Sequence, residues 1–167
     1  MVFLWVKNID AVMLRFKTGE TDGYGLRGSD YPLLKPLERE NGFRIYELGP
    51  TMSKSFLVFN QNTGTNPDTS RPYVDPHKLK WFRSTTFRQA ISHAIDRVGL
   101  IRAIHNGLAR RMYGPMGESA GYFHNSGIRP FPYGLDKARR MLSGIGLEDR
   151  SGDGWLTDEE GRELRFT

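Results

Sequence analysis

The sequence predicts an α/β fold, a mixed sheet with helices packed on it. Three observations point there. Residues 55–60 (SFLVFN) form a continuous apolar run, the pattern of a strand covered on both faces. From Phe87 to Ile104, apolar residues recur at three- and four-residue steps, the stripe of an amphipathic helix. Strand-like and helical stretches alternate along the 167 residues.

Residues 1–6 are apolar and rich in β-formers, so they read as a buried strand. Asp10 is placed to cap a helix bearing Ala11, Val12, Leu14 and Phe16, with Gly19 at its end. Residues 24–26 read as a short strand. Leu33, Leu34 and Leu37 mark a helix over 30–40, stopped by Asn41-Gly42. Strands follow over 43–48 and 55–60. Residues 61–76 are polar and rich in Pro, Gly, Asn and Thr, and form the one long loop. Thr86 and Gln89 suit a capping box for the striped helix, whose apolar residues include Phe87, Ala90, Ile91, Ala94, Ile95 and Val98. Asp96 can cap a new helix inside that stretch, so a break is expected there, and Asn106-Gly107 ends it. Residues 113–133 are irregular. A helix over 136–145 closes at Gly146, an acidic turn spans 149–161, and 163–167 alternates like a strand.

Composition excludes more than it assigns. The chain is 38% hydrophobic and 26% charged, ordinary for a globular protein with one core. It has no apolar run near the ~20 residues of a membrane helix. With no cysteine, thiol catalysis, disulfides and cysteine metal sites are ruled out. A net charge of +5 raises nucleic acid as a partner. However, the basic residues are scattered, and their closest clusters are the pairs Arg110-Arg111 and Arg139-Arg140. A basic nucleic-acid-binding domain is therefore an alternative without a focused patch. The sequence holds no G-x-S-x-G, no H-E-x-x-H and no glycine-rich phosphate loop, so the expectation is a protein that is not an enzyme.

The sharpest local motif is the turn at 149–160. Asp149, Ser151 and Asp153 fall where a calcium loop places its first three ligands, and Gly154 where it turns. The Trp155 carbonyl, Thr157 and a bidentate Glu160 complete the set. The other reading is an Asp-Gly turn that takes no metal, because Gly161 and the alternation after it predict a strand where an EF-hand needs a helix. Calcium is the only cofactor the sequence raises, and none is required. A calcium-binding regulatory module is the second alternative function.

Four blocks resemble a known family. They are 16–22 (FKTGETD, like L-x-x-G-E-I-D), 56–60 (FLVFN), 87–97 (FRQAISHAIDR, like V-R-Q-A-I-x-Y-A-I-D-R), and 136–142 (DKARRML) followed by Gly146, Asp149 and Gly152-Asp-Gly154. In this order they resemble the peptide- and nickel-type, family 5, extracellular solute-binding proteins of ABC transporters. The resemblance implies a two-lobe, periplasmic-binding-protein type fold. Residues 1–167 would be a single partial domain, the first part of the second lobe, and the remainder of the chain would be a partner. It implies capture of an oligopeptide, dipeptide or similar small solute and delivery to a membrane permease. It also implies a periplasmic or extracellular location, with a lipoprotein anchor in the full-length form, and no nucleic acid. The loop 61–76 is longer than the family's usual link. A peptide cleft uses aromatic surfaces and a few polar groups. The ligand-binding candidates are accordingly Asn60 at a strand end and Tyr113, Tyr122 and Phe123 on the irregular stretch, with lobe packing as the alternative role for these aromatics. Arg88, His93 and Asp96 on the striped helix are read as structural.

Overall fold

Helices carry the regular structure of this chain. A computed structural model describes residues 2–166. It divides into two compact units, Met1–Pro50 with Val98–Arg111 and Thr51–Arg97 with Met112–Thr167.

In the first unit, α1 (Ile9–Lys17) begins at Asn8, whose side chain accepts the Asp10 N–H at 2.8 Å. The cap thus lies two residues before the expected Asp10. The Asp10 carboxylate instead pairs with Arg27 at 2.6 Å. Phe16 of α1 stacks on Tyr24 at 6.0 Å and meets Phe43 edge-on at 5.0 Å. The helix expected over 30–40 is shorter: α2 (Tyr31–Leu34) tightens into a 3-10 turn at Lys35–Leu37. Pro36 explains the change, because it has no N–H to continue the α ladder. Leu34 is fully buried. Most of α5 (Arg97–His105) belongs to this unit and ends at Asn106 and Gly107, both at positive φ, as the Asn-Gly signal predicts.

In the second unit, α3 (Pro76–Arg83) leads into α4 (Thr85–Ala94), and α6 (Leu135–Ser143) packs on α4. The break falls between α4 and α5, at Ile95 and Asp96. Ser84 caps α4, accepting the Phe87 N–H at 3.2 Å, in place of the expected Thr86. The apolar stripe of α4 turns Phe87 and Ala90 fully inward. Ile95 lies beyond the helix and is half-buried, and Val98 is exposed, so the stripe ends sooner than the periodicity suggests. The core is aromatic: Phe59, Phe82, Phe87 and Phe166 lie 5.1–6.2 Å apart ring to ring. Trp81, Leu142 and Leu147 close around them. His93 is buried as a packing residue, its Nδ1 2.6 Å from the Pro132 carbonyl and its ring edge-on to Phe131.

The mixed sheet does not form among the described residues. Pairing there is limited to isolated bridges, Thr65 with Pro72, Glu148 with Thr157, and Thr157 with Glu163. The runs at 2–6, 24–26, 43–48 and 55–60 carry no strand assignment. Phe3, Trp5, Leu48, Phe56 and Val58 are exposed. A strand is stable only when its backbone groups find a neighbouring strand, and among the described residues these runs find none, although Phe43 and Phe59 pack against other rings. The calls on Met1 and Thr167 lie outside the described residues. The loop 61–76 is in part a tight turn, with the Asn66 side chain accepting the Asp68 and Thr69 N–H groups at 2.8 and 3.1 Å, and its last residue, Pro76, opens α3.

Candidate solute-binding groove

The second unit carries an open groove of about 390 Å³. One wall is the extended segment Leu57, Val58, Phe59 and Gln61, and the other is α4. On α4, Thr85, Arg88, Gln89 and Ser92 follow i, i+3, i+4, i+7 spacing and so share one face. Tyr113 and Phe131 complete the lining.

Local hydrogen bonds hold these groups. Arg88 donates from Nη1 to the Phe82 carbonyl at 2.7 Å and from Nη2 to the Thr85 hydroxyl at 3.1 Å, tying α4 to the end of α3. The same Nη1 reaches Gln61 Oε1 at 3.3 Å. Arg97 donates to the Ser92 carbonyl and hydroxyl, each at 2.9 Å, and its guanidinium carbon lies 5.3 Å from the Tyr113 ring centre. Arg97 thereby positions both Ser92 and Tyr113. Gly114 follows Tyr113, and a Cβ there would come within 2.5 Å of Ile128 Cδ1, so a larger residue would have to displace the Ile128 side chain.

Of the four ligand-binding candidates, Tyr113 alone is in the groove lining. The Asn60 side chain is spent on its own turn, accepting the Asn62 N–H at 3.0 Å. Tyr122 and Phe123 pack edge-on against each other at 5.5 Å and are largely exposed. The sequence reading missed the polar face of α4 and Phe131. Its signal was present as four polar residues at helical spacing opposite the apolar stripe.

The acidic turn is organised by its own backbone. Asp149 accepts the Gly152 N–H at 2.7 Å through Oδ1 and the Gly154 N–H at 2.9 Å through Oδ2. Asp153 accepts the Trp155 N–H at 2.8 Å, which holds its carboxyl below the usual range, with Ser151 adding to the effect. Glu160 pairs with Arg162. The Thr157 hydroxyl donates to the Glu148 carbonyl at 3.2 Å. The Arg165 guanidinium lies 4.3 Å from the centre of the Trp155 ring. Among the described residues no group of three or more His, Asp or Glu side chains gathers as a metal site would require. Asp158, which the calcium spacing does not use, is the buried carboxylate. Burial would raise its pKa, but the Arg162 N–H and guanidinium and the Glu160 N–H outweigh that and lower it.

A second polar cluster lies in the first unit. Asp30 is almost wholly buried and accepts from Arg27 at 2.6 and 2.8 Å, from Ser29 at 3.2 Å and from the Tyr24 hydroxyl. The Arg27 bonds lower its pKa despite burial. Burial is the first cause raising the Tyr24 phenol, followed by its hydrogen bond to Asp30 and then the Asp30 charge. The cluster ties the start of α2 to the loop before it.

The sequence matches the family described as "Bacterial extracellular solute-binding proteins, family 5 Middle" over residues 1–167. The chain belongs to this family. Its family 5 relatives include the oligopeptide-binding protein AppA of Bacillus subtilis, 24% identical over 163 residues. A probable ABC transporter-binding protein of Deinococcus radiodurans is 28% identical over 166 residues. Each match covers 97% of this chain and 26% of the relative, so the chain spans about a quarter of their length. A periplasmic alpha-galactoside-binding protein of Rhizobium meliloti is 35% identical over 83 residues, 48% of this chain and 12% of that protein. In three dimensions the chain is similar to AppA solved in complex with a nonapeptide. That match has a TM-score of 0.59 at 21% identity and covers 95% of this chain and 27% of the other. The fold is thus that of part of a solute-binding protein, as the sequence blocks implied.

Proposed function

We propose that this chain is part of one lobe of a solute-capture protein that loads an ABC importer in the periplasm or at the cell surface, and that its solute is an oligopeptide. The observation that carries the reading is the family match over residues 1–167. The oligopeptide assignment is supported by the AppA relative, which aligns along nearly the whole chain. Capture is non-covalent, with no chemical step. The ligand bridges two lobes only when they close and so raises the closed population. The groove between α4 and residues 57–61 offers aromatic and polar groups to such a ligand, with Tyr113 the contact residue held by Arg97.

Calorimetric titration of the intact polypeptide that carries residues 1–167, using peptides of graded length, tests this. Micromolar or tighter binding is expected, with Tyr113→Ala weakening it about tenfold, the order of one well-placed aromatic contact. Absence of peptide binding, or binding indifferent to Tyr113, would count against the reading. The alpha-galactoside-binding relative supports a second one, a short oligosaccharide stacked on Tyr113 and Phe131. Titration of the same protein with galactosides separates the two.

A further inference from the structure

We infer that Lys54 and Ser119, neither of which lines the groove, are positioning residues that set Tyr113 opposite Leu57 and so shape the groove for its solute. The inference rests on the binding role proposed for Tyr113 and adds how that ring is placed.

The groove draws its lining from segments far apart in sequence. Leu57, Val58, Phe59 and Gln61 come from one extended segment, and Tyr113 from another. Two extended segments are ordinarily aligned by a ladder of backbone hydrogen bonds. Among the described residues, no backbone–backbone bond joins 51–61 to 112–119. Pro115 has no N–H to give to such a ladder. Two side chains make the connection instead. The Ser119 hydroxyl donates to the Thr51 carbonyl at 2.9 Å. Lys54 Nζ donates to the Pro115 carbonyl at 2.6 Å and lies 3.9 Å from Met116 Sδ.

The order of these ties fixes both direction and register. From Thr51 to Lys54 the first segment advances, while its partners step back from Ser119 to Pro115, so the two segments run antiparallel. Six residues on from Thr51 is Leu57, and six residues back from Ser119 is Tyr113. Both line the groove. The second segment is braced from behind. His124 Nδ1 lies 3.0 Å from the Met116 carbonyl, and the Ala120 N–H donates to the Gly117 carbonyl at 3.0 Å. Met112 Sδ packs over Gly117, 3.3 Å from where a Cβ would stand. Ser119 is therefore presented from a closed turn. The Arg97 guanidinium covers the Tyr113 ring but does not stop the segment from sliding along its own direction. The two ties do. Without them a slip of one residue turns a different side chain toward the groove. Tyr113 then has to be ordered by the solute, which lowers affinity.

The test uses the intact polypeptide that carries residues 1–167, with fluorotyrosine placed at position 113 and read by fluorine NMR, and calorimetry with peptides on unlabelled samples. In the ligand-free protein one sharp resonance is expected for the parent and for Lys54→Arg, which keeps a donor of similar reach. Lys54→Met and Ser119→Ala should each shift or broaden it, and the double variant should do so more. Both side chains are on exposed residues, so melting temperatures should stay within about 4 °C of the parent. Each single variant gives the same readings if the double variant melts early. Peptide affinity should fall about fivefold in the double variant, inside the roughly tenfold that Tyr113 supplies. Combined with Tyr113→Ala, the same two changes should cost nothing further, whereas groups that only stabilise the fold would cost the same in either background. An unmoved resonance in the double variant overturns the inference, as does an affinity loss that persists in the Tyr113→Ala background. Peptide binding that weakens with Tyr113→Ala but not with the double variant defeats this inference and leaves the proposed function standing. If the parent binds neither peptides nor galactosides, the proposed function fails, and the resonance alone decides whether these ties place Tyr113.

Discussion

Replacing Phe87 by alanine should strongly destabilise the second unit. Phe87 has no exposed surface and sits 5.4 Å from the Phe59 ring, 6.2 Å from Phe82 and 6.0 Å from Phe166. Truncation removes the transfer free energy of the ring and leaves a cavity among three other rings, which together cost about 3–5 kcal/mol. Whole domains have only about 5–15 kcal/mol of stability. For a unit of roughly a hundred residues, each kcal/mol moves the melting temperature by about 4–8 °C. The expected drop is therefore at least ~12 °C. The assay is thermal and urea unfolding followed by near-UV and far-UV circular dichroism. Phe123→Ala, a ring of the same size that is 73% exposed, serves as the control and should change stability by less than ~0.5 kcal/mol. If Phe87→Ala melted within about 2 °C of the parent, the aromatic cluster could not be the core of this unit.

Three further outcomes are expected. Ser84→Ala should cost about 1 kcal/mol in urea unfolding through loss of the α4 cap, whereas Thr86→Ala should cost only a few tenths, and equal effects would return the cap to Thr86. Asp30 has a folded pKa below its unfolded value of about 3.9, so its stabilisation is present above that pH and lost as pH falls through the folded pKa. Asp30→Asn should therefore flatten the acid limb of a pH–melting series below about pH 4, and an unchanged limb would remove Asp30 as its source. Calcium at about 1 mM should move the melting temperature by less than ~1 °C, because Arg162 holds Glu160 and two backbone N–H groups occupy Asp149. A saturable Trp155 fluorescence change lost in Asp149→Ala would instead favour the calcium loop.

Helices were legible where period and punctuation agreed. The start of the stripe at Phe87, the break at Asp96 and the Asn106-Gly107 stop all have local causes, and all appear where expected. Cap choice was less legible, because Asn8 and Asp10, or Ser84 and Thr86, compete within two residues and only the backbone path decides. The helix α3 was missed although Asp75-Pro76 and the spacing of Leu79 and Phe82 announce it. Its lysines and histidine hid a short apolar side that buries Trp81 and Phe82. The groove was half-legible: Tyr113 was found by composition, whereas Arg88 was read as structural, Gln89 as a capping residue, and Ser92 was not singled out. The sheet could not be settled locally at all, since strand formation depends on partners distant in sequence.

That dependence also bears on binding. The groove, bounded by residues 57–61 and α4, is open to solvent. A ligand resting there keeps much of its surface wet and still loses translational and rotational freedom on binding, a cost of at least about 4 kcal/mol. One aromatic contact and a few hydrogen bonds to solvated groups offset little more than that. Affinity in such a design arises when a second wall closes, excludes water from both sides of the ligand and strengthens each polar contact. Tyr113 fixed by Arg97, and Ser92 fixed by the same guanidinium, are arranged before any ligand arrives. The ordering cost on this side is thus already met in folding. On the proposed reading, this groove contributes preorganisation, and the gain in affinity depends on a surface that closes against it.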